Sequence, residues 1–426
     1  MKIKAIGRLV TLGSLLALPL STAFAQLTLT PQIRPRAEWR NGYKNLPSAT
    51  AKAAFFVSQR SRVTLDYKQD KITSRFSFQD VRVWGDEEQA KDVASVSVHE
   101  AWGEIMFSDV FSMRLGRQEL AYNDERLLGS VDWAQQARSH DAVVLKARFN
   151  NDWSLDAGGA FNQEKEQLSQ TDYTLNNYKV LGFVWGKKVL QENFTLSGLF
   201  VSDGFQGKGT NKDILFRYTY GADLMYKKGE LQLNGAFYHQ SGTGVSDKAI
   251  GAYMGVAEAH YTLNSLKATI GFNHLSGSGG ERSKTRTFNT LYATNHKYYG
   301  YMDYFTNLPM DTRNGGLHDN YFKLHYSTNP NYNVALDYHY FALAANVPAT
   351  ETLSGTKNKY LGSELDAVFN YKYSEGINFS VGYSTLFASD SMEALRGGDA
   401  SQHTDWGWLM VNIQPKILLK AFDKEQ

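Results

Sequence analysis

Residues Ile377 to Phe387 read Ile-Asn-Phe-Ser-Val-Gly-Tyr-Ser-Thr-Leu-Phe, and this alternation of apolar and polar side chains decides the fold. Successive side chains of a β-strand point to opposite faces, so one face of this stretch is mainly apolar and the other polar. Leu231 to Gln240, Phe216 to Tyr226 and Val143 to Phe149 repeat the pattern. A soluble sandwich would need a second sheet over each apolar face, whereas a membrane barrel has lipid on one face and water on the other.

About eighteen segments of roughly ten residues share this alternation and end in Asn, Asp, Gly or Ser. They lie near 27–39, 52–67, 72–84, 96–106, 111–120, 140–149, 153–161, 177–189, 194–202, 216–227, 231–241, 250–261, 266–276, 316–326, 332–343, 360–373, 377–387 and 403–418. Tight turns such as 68–71 and 374–376 alternate with connections of roughly nine to forty residues. The sequence therefore predicts one all-β, transmembrane, antiparallel β-barrel with short periplasmic turns and long extracellular loops.

Composition excludes several other classes of protein. After the N-terminal segment there is no apolar run of about 18 residues, which excludes transmembrane helices. The chain has no cysteine, so disulfides and thiolate metal sites are excluded. Aromatic residues near segment ends predict interfacial girdles, although Tyr and Trp also favour strand edges for other reasons. The girdle candidates are Tyr67, Trp84, Trp102, Trp153, Trp185, Tyr226, Tyr261, Tyr326, Tyr332, Tyr371 and Tyr373.

The N-terminal segment has the features of a secretory signal peptide. Lys2, Lys4 and Arg8 precede or begin an apolar run, and the small-residue site Ala23-Phe24-Ala25 follows it. We therefore predict a signal peptide over residues 1–25 and a single barrel domain over residues 26–426, located in the outer membrane of a Gram-negative bacterium. The mature chain carries 42 Lys and Arg against 43 Asp and Glu, and this balance argues against a nucleic-acid partner.

Charged and hydrogen-bonding side chains are concentrated from Arg114 to Asp141, where a short strand is followed by a charged loop. Residues of both signs surround Trp133, a composition that suits a rigid network of ion pairs and hydrogen bonds. One interpretation is an ion-paired surface loop, and the other is a pore element. We expect the part from Arg117 to Asp141 to form a constriction on the extracellular side.

Arginine is distributed unevenly, because twelve of the seventeen arginines after the signal peptide lie before residue 150. Sequence order is wall order in a barrel, so one side of the lumen is predicted to be rich in guanidinium groups. The candidate pore-lining or constriction residues are Arg60, Arg62, Arg75, Asp80, Arg82, Arg117, Glu119, Asp124, Glu125, Arg126, Trp133, Arg138, Asp141 and Arg148, and the acidic candidates on the opposite wall are Asp337, Glu364 and Asp366.

Two segments break the alternation. Phe76 and Phe78 share parity with Asp80 and Arg82, and Met113 and Leu115 share parity with Arg117 and Glu119. A β-bulge, or a strand that rises clear of the membrane, would explain each break.

The same stretch resembles the alginate export family of outer-membrane porins. The resemblance rests on Arg114-Leu-Gly-Arg-Gln-Glu-Leu120, Asp124-Glu-Arg-Leu-Leu-Gly129, Asp132-Trp133 and the earlier Phe78-Gln-Asp-Val-Arg-Val-Trp-Gly85, with a second block at Asn295 to Asp303. It implies an eighteen-stranded barrel whose arginine-rich conduit passes an acidic polysaccharide. The expected partners are outer-membrane lipid, an anionic solute or acidic polysaccharide, and periplasmic proteins, and no cofactor is expected.

Other functions stay open at this stage. A general or other-substrate porin is the first alternative, and a surface-binding barrel or a barrel hydrolase is the second. No Gly-x-Ser-x-Gly motif occurs, and His99-Glu100 lacks the further histidine of a zinc motif, so the chain is not expected to be an enzyme. The connection 277–315 is long enough to fold into the lumen, which favours a channel, or to reach outward, which favours surface recognition.

Overall fold

The computed structural model describes residues 25–150, 153–207, 213–244, 247–280, 283–350 and 355–419. The predicted signal peptide lies outside these residues except for Ala25, as does the end of the predicted barrel domain at 420–426. The strands in chain order are β1 (Gln26–Asn41), β2 (Ala54–Gln69), β3 (Ile72–Val83), β4 (Ser97–Met106), β5 (Phe111–Gln118), β6 (His140–Phe149), β7 (Trp153–Phe161), β8 (Val180–Gln191), β9 (Phe194–Gln206), β10 (Ile214–Lys228), β11 (Leu231–Gly242), β12 (Ala252–Leu263), β13 (Leu266–Leu275), β14 (Leu317–Asn329), β15 (Tyr332–Ala342), β16 (Tyr360–Ser374), β17 (Ile377–Ala388), β18 (Asp405–Ile413) and β19 (Ile417–Leu419).

The strands form one closed antiparallel barrel. Each strand pairs with its neighbours in the chain, and β1 closes the sheet by pairing with both β2 and β18. Pro415, which cannot donate a ladder hydrogen bond, separates β18 from the short β19, and β19 still pairs with β1 from Leu27 to Leu29. The prediction of about eighteen antiparallel strands in a single barrel is confirmed, with the closing strand divided in two.

Short turns and long loops segregate to opposite ends of the barrel. Several two-residue turns, such as 229–230 and 375–376, place a residue in the left-handed region, with φ of 57° at Gly229 and 76° at Gly376. The other end carries the long connections, which range from 207–213 to 276–316. Both ends of the described chain lie beside the short turns, at the predicted periplasmic side.

The outer surface is apolar along the strands, as in lipid-facing barrels. Val63, Leu145, Phe237, Ile270 and Val381 are among the exposed large apolar side chains. The girdle prediction is wrong for Trp102 and Trp185, because both side chains face the lumen. The ring of Trp102 lies 3.8 Å from the guanidinium of Arg114, and the indole nitrogen of Trp185 donates to Asn123 at 2.7 Å.

The long loops fill much of the lumen and contain the only helices among the described residues. Two short 3-10 helices, Asn295–Lys297 and Met310–Thr312, lie in loop 276–316, and one α-helix, Asp390–Arg396, precedes β18. None of the helices in the described parts of the chain is long and apolar enough to cross a membrane. Loop side chains such as Phe288, Met302 and Phe305 are fully buried, so the loops form a packed core inside the wall.

Candidate pore constriction

Loop 119–139, which connects β5 to β6, crosses the barrel interior and is called the constriction loop below. Its first part reaches the β7–β10 wall, where Tyr122 donates to Asp156 at 3.0 Å and Asn123 donates to Asp223 at 2.6 Å. Its return part reaches the β1–β3 wall, where the side chain of Gln79 donates to the carbonyl of Gln136 at 2.8 Å. The loop therefore spans the lumen between two walls.

Arg126 anchors the far side of the constriction loop. Its side chain is only 2 % exposed and donates to Asp124 at 2.7 Å, Asn273 at 2.8 Å and Glu258 at 3.0 Å. The guanidinium also lies 3.8 Å from the ring centre of Tyr298. Although burial opposes the charge, Asp124 and the nearby tyrosines raise the pKa of Arg126 well above its ordinary value. The guanidinium is thus a fixed structural cation.

Asp132 and Gln135 anchor the near side to arginines of β1 and β2. Asp132 accepts from Arg34 at 3.2 Å and from Arg60 at 2.8 Å. Gln135 accepts from Arg34 at 3.1 Å and donates to Ser58 at 3.1 Å. Burial opposes ionisation of Asp132, but Arg60 and Arg34 outweigh it and lower the pKa of this carboxyl. Charge-assisted hydrogen bonds thereby fix the return part of the loop.

Trp133 lies at the centre of an aromatic cluster in the lumen. Its ring stacks on His296 at 4.6 Å and meets Trp408 edge-on at 4.9 Å. The guanidinium of Arg36 lies 4.3 Å from its ring centre, and the carbonyl of Trp133 accepts from Arg36 at 2.9 Å. Trp133 therefore joins the constriction loop, the β18–β1 wall and loop 276–316.

Loop 276–316 folds into the lumen and pairs with the constriction loop, and it is called the inner loop below. Tyr292 forms a parallel bridge with Leu128, and Thr294 donates to the carboxylate of Glu125 at 2.6 Å. The inner loop also contacts the first loop through the backbone of Lys44, which donates to Met302 at 3.0 Å. Of the two possibilities that the sequence left open for this loop, the inward course is observed, and it favours a channel over a surface-binding barrel.

Asp303 braces the inner loop internally and joins it to the loop between β1 and β2. It accepts a hydrogen bond from His296 at 2.6 Å and another from Tyr43. Burial opposes ionisation of Asp303, but His296, Tyr43 and Lys44 outweigh it and hold the pKa of this carboxyl below its ordinary value. Asp303 is therefore held in its ionised form, which accepts the hydrogen bonds from His296 and Tyr43.

The acidic candidates of the opposite wall face inward and are buried, and Glu364 lies beneath the inner loop. Glu364 is 0 % exposed and accepts from the backbone of Met302 at 2.7 Å. Asp366 is 3 % exposed, and Asp337 is bonded to Lys323 at 2.9 Å. The three carboxylates are therefore buried instead of bordering an open pore, and the contact of Glu364 with the inner loop is one that a strand pattern does not reveal.

Besides Arg60, three further arginine candidates on the strands face the lumen. Arg62 donates to Gln79 at 3.0 and 2.6 Å. Arg75 bonds Asp66 at 2.7 Å and Glu100 at 3.3 Å, and Arg148 pairs with Asp156. Arg138, on the constriction loop, donates to the carbonyl of Ala293 at 3.3 Å, and burial lowers its pKa.

Four candidates lie on the outer face and are corrections to the prediction. Arg117 and Asp141 are register partners and bond each other at 3.0 Å with 42 % and 62 % of their side chains exposed. Asp80 and Arg82 follow Phe76 and Phe78 on the outward side of β3, where the β2–β3 register has no break. Their strand continues beyond the apolar zone, so its outward face turns polar without a change of phase.

Sequence patterns did not single out the inward row of β1 as part of the site. Glu38 is 1 % exposed and accepts from Arg36 at 2.9 Å, Arg40 at 2.7 Å and Trp406 at 3.1 Å. The sequence did contain a signal for this row, because Arg36, Glu38 and Arg40 have the parity opposite to the outward Ile33 and Trp39.

One group among the described residues has ligand spacing for a metal ion. Side-chain atoms of His99, Glu100 and Glu119 lie within 4.8 Å of one another. Glu119 already accepts from His99 at 2.8 Å, and Glu100 accepts from Trp102 at 3.0 Å. These contacts account for the group as a hydrogen-bonded support at the start of the constriction loop.

A closed barrel with an inward-folded loop across its lumen defines the class of outer-membrane porins. Solved structures of this class are similar in fold along nearly the whole chain. Acinetobacter baumannii OccAB4 has a TM-score of 0.61 at 12% identity, covering 94% of this chain and 100% of that one. Pseudomonas aeruginosa OccK9 (OpdG) has a TM-score of 0.60 at 12% identity, covering 93% and 98%. A BenF-like porin from Pseudomonas fluorescens Pf-5 has a TM-score of 0.60 at 14% identity, covering 92% and 99%.

Within that class, residues 26–406 match the family described as alginate export, and the chain belongs to this family. The predicted resemblance is confirmed. Among curated proteins, none matches the sequence. The family and the fold are those of transport porins, which are not enzymes.

Proposed function

We propose that the protein is a passive outer-membrane channel that favours anionic solutes, with an acidic polysaccharide as the substrate to which its family points. The observation that carries the proposal is the charge of the lumen-facing positions on β1–β6. Register places ten basic side chains there, Arg34, Arg36, Arg40, Arg60, Arg62, Lys68, Arg75, Arg114, Lys146 and Arg148, against four acidic ones, Glu38, Asp66, Glu100 and Glu104. Fixed wall charges of one sign raise the local concentration of counter-ions.

Two guanidinium groups beside the constriction loop strengthen the case. Among the described residues, no carboxylate lies within salt-bridge distance of Arg62 or Arg138. Arg62 bonds the amide of Gln79, which in turn bonds the return part of the constriction loop. Because their charge is not neutralised by the protein, these two groups are the best candidates to bind a carboxylate of a passing solute.

The inner loop supports a channel over a surface-binding barrel. It packs against the constriction loop and the wall, with Phe288, Met302 and Phe305 fully buried, so the part of the loop that carries these residues lies inside the barrel.

A general porin with weak selectivity is the second candidate, and one observation favours it. Arg34 and Arg60 share Asp132, Arg75 bonds two carboxylates, and Arg148 pairs with Asp156. Paired arginines contribute less field to the pore than their number suggests.

Solute flux into liposomes tests the proposal. Galacturonate and galactose have closely similar size and differ in charge, so the ratio of their fluxes reports electrostatic preference. We expect wild type to favour galacturonate, and Arg62→Gln with Arg138→Gln to reduce that ratio about two- to fivefold. Arg117→Gln on the outer face is the matched control and should leave the ratio unchanged. Equal fluxes through wild type would support the general porin.

A further inference from the structure

Three side chains that can ligate a metal ion meet at the start of the constriction loop. His99 and Glu100 belong to β4, and Glu119 is the first residue of the loop. The first two residues are buried and Glu119 is partly exposed. Glu119 lies 20 positions after His99, so a search for the closely spaced histidines of a zinc motif does not find the group. The fold therefore assembles a ligand set that the sequence analysis did not predict.

A β-bulge turns two consecutive side chains of β4 into the lumen. Ser77 of β3 pairs with Glu100. The next residue of β3, Phe78, pairs with Val98, which leaves His99 as an extra residue in the ladder. In a regular strand His99 and Glu100 would point to opposite faces, whereas here both are buried and Val98 before them is exposed. The bulge thus places an imidazole beside a carboxylate.

The three ligand atoms are close enough to share one ion. One atom from each residue lies within 4.8 Å of the other two, and Nε2 of His99 lies 2.8 Å from Oε1 of Glu119. Atoms bound to one zinc ion at about 2.0–2.2 Å lie at most about 4.4 Å apart, so movements of a few tenths of an ångström suffice. Three protein ligands drawn from His and Glu are typical of zinc sites in which water takes the fourth position.

Neighbouring groups orient Glu100 within the group. Its Oε1 accepts from the indole nitrogen of Trp102 at 3.0 Å and from the amide of Glu119 at 3.4 Å. Its Oε2 accepts from Arg75 at 3.3 Å. A carboxylate can accept about four hydrogen bonds, so one direction is left for a further partner. Contacts of this kind fix the ligands of metal sites from outside.

The local charge favours a cation. Arg75 is shared between Glu100 and Asp66, which it bonds at 2.7 Å. Among the described residues, no lysine or arginine lies within salt-bridge distance of Glu119. The group and its nearest guanidinium therefore keep a net negative charge, and the more distant arginines of the wall reduce its attraction for a cation without cancelling it.

We infer that His99, Glu100 and Glu119 form a site for a divalent transition-metal ion of the zinc class, with water completing the coordination. The imidazole ligand favours zinc or copper over magnesium and calcium, which prefer oxygen alone. In the metal-bound group the neutral imidazole carries its proton on Nδ1, so that Nε2 can ligate the ion. The ion joins β4 to the first residue of the constriction loop and restricts the movement of that loop. The inference is independent of the solute that the channel passes.

Zinc binding by the mature chain, folded in detergent and treated with EDTA, tests the inference. His274→Asn is included in every protein, because ring nitrogens of His274 and His318 lie 3.2 Å apart and offer a separate pair of ligands. We expect this parent protein to bind one zinc ion by equilibrium dialysis. His99→Asn and Glu119→Gln should each weaken binding about tenfold or more. In planar bilayers, zinc should lower the current noise of the parent, and EDTA should restore it.

His325→Asn is the matched control. His325 bonds Asp337 at 3.2 Å, yet it belongs to no group of three possible ligands among the residues that the structure describes. The control should bind zinc as the parent does. Heat-modifiable migration shows that each variant is folded, and Glu119→Gln decides the outcome if His99→Asn does not fold. Absence of zinc binding by the parent, or equal binding by the parent and Glu119→Gln, would overturn the inference.

Discussion

At the scale of single residues, the constriction loop is fixed by charged side chains, several of which are buried and would destabilise the protein if they lost their partners. Arg126 is almost fully buried and pairs with Glu258, which is largely buried, and with Asp124, which is partly exposed. Asp132 similarly joins Arg34 and Arg60. Removal of one partner leaves the other charge buried without compensation, which destabilises proteins more than the pair itself stabilises them.

Replacement of Arg126 by Ala should detach the constriction loop from the β12–β13 wall. We expect a loss of about 3 to 5 kcal/mol in the free energy that holds the loop, since Glu258 loses its buried cation. Single-channel conductance or gating should change, while the closed strand ladder still allows insertion and heat-modifiable gel migration. Arg117→Ala on the outer face should behave as wild type. If Arg126→Ala and Arg138→Ala both conduct as wild type does, the constriction loop does not control conductance.

Acidification should release the loops only at low pH. The pKa values of Asp132 and Asp303 lie below their ordinary value, because neighbouring cations and hydrogen bonds outweigh the effect of burial. A carboxyl whose pKa is lower in the folded state stabilises fully above its unfolded pKa of about 3.9, and this stabilisation is lost as pH falls through the folded value. Current noise in bilayer recordings should therefore stay constant from neutral pH to about pH 4 and increase below it. An increase that begins near pH 6.5 would contradict control by these two carboxyl groups and would instead point to titration of histidine.

At the scale of elements, the strands were predictable and the destinations of the loops were not. The alternation in Ile377 to Phe387 and in Leu231 to Gln240 depends only on neighbouring residues, and both segments form strands with the predicted faces. Glu364 has the same strand signal, yet contact with Met302, 62 positions earlier, decides that it is covered. Such packing arises from tertiary structure, so no local pattern reports it.

The breaks in apolar–polar alternation on β3 and β5 also show where prediction from the sequence is limited. The parity of Asp80 and Arg82 with Phe78 indicated the outer face correctly, and their charge alone suggested the lumen. Charge was the misleading signal, because a strand that extends past the membrane carries polar residues on both faces. Arg117 and Asp141 follow the same rule on β5 and β6.

The inner loop depends on close approach to β16 at Gly300. This residue has a φ of 79°, and a β-carbon there would lie 2.6 Å from Glu364. Gly300→Ala should displace the inner loop, raise single-channel conductance and increase protease cleavage within the loop. Gly85→Ala is the matched control, because Gly85 has a φ of 84° but nothing within 4 Å of the added carbon. Equal effects of the two substitutions would mean that backbone strain acts alone and that the contact with Glu364 is unimportant.

At the scale of the whole molecule, net charge and local charge give different expectations for selectivity. The mature chain is close to neutral, with 42 basic and 43 acidic side chains. Ions in a pore respond to fixed charges within about 8 Å at physiological salt, so the local distribution governs. Arg62 on the arginine-rich wall and Arg138 on the constriction loop are only partly buried, whereas Glu364 and Asp366 are almost fully buried. The acidic wall therefore contributes less to the electric field in the pore than the basic wall does.

The reversal potential in a planar bilayer under a potassium chloride gradient tests the central claim most directly. We predict a sign that corresponds to preferential chloride passage through the wild-type channel, with a magnitude that decreases as both salt concentrations are raised, because the wall charges are then screened. A reversal potential of the opposite sign, indicating preferential potassium passage at every salt concentration, would contradict the account.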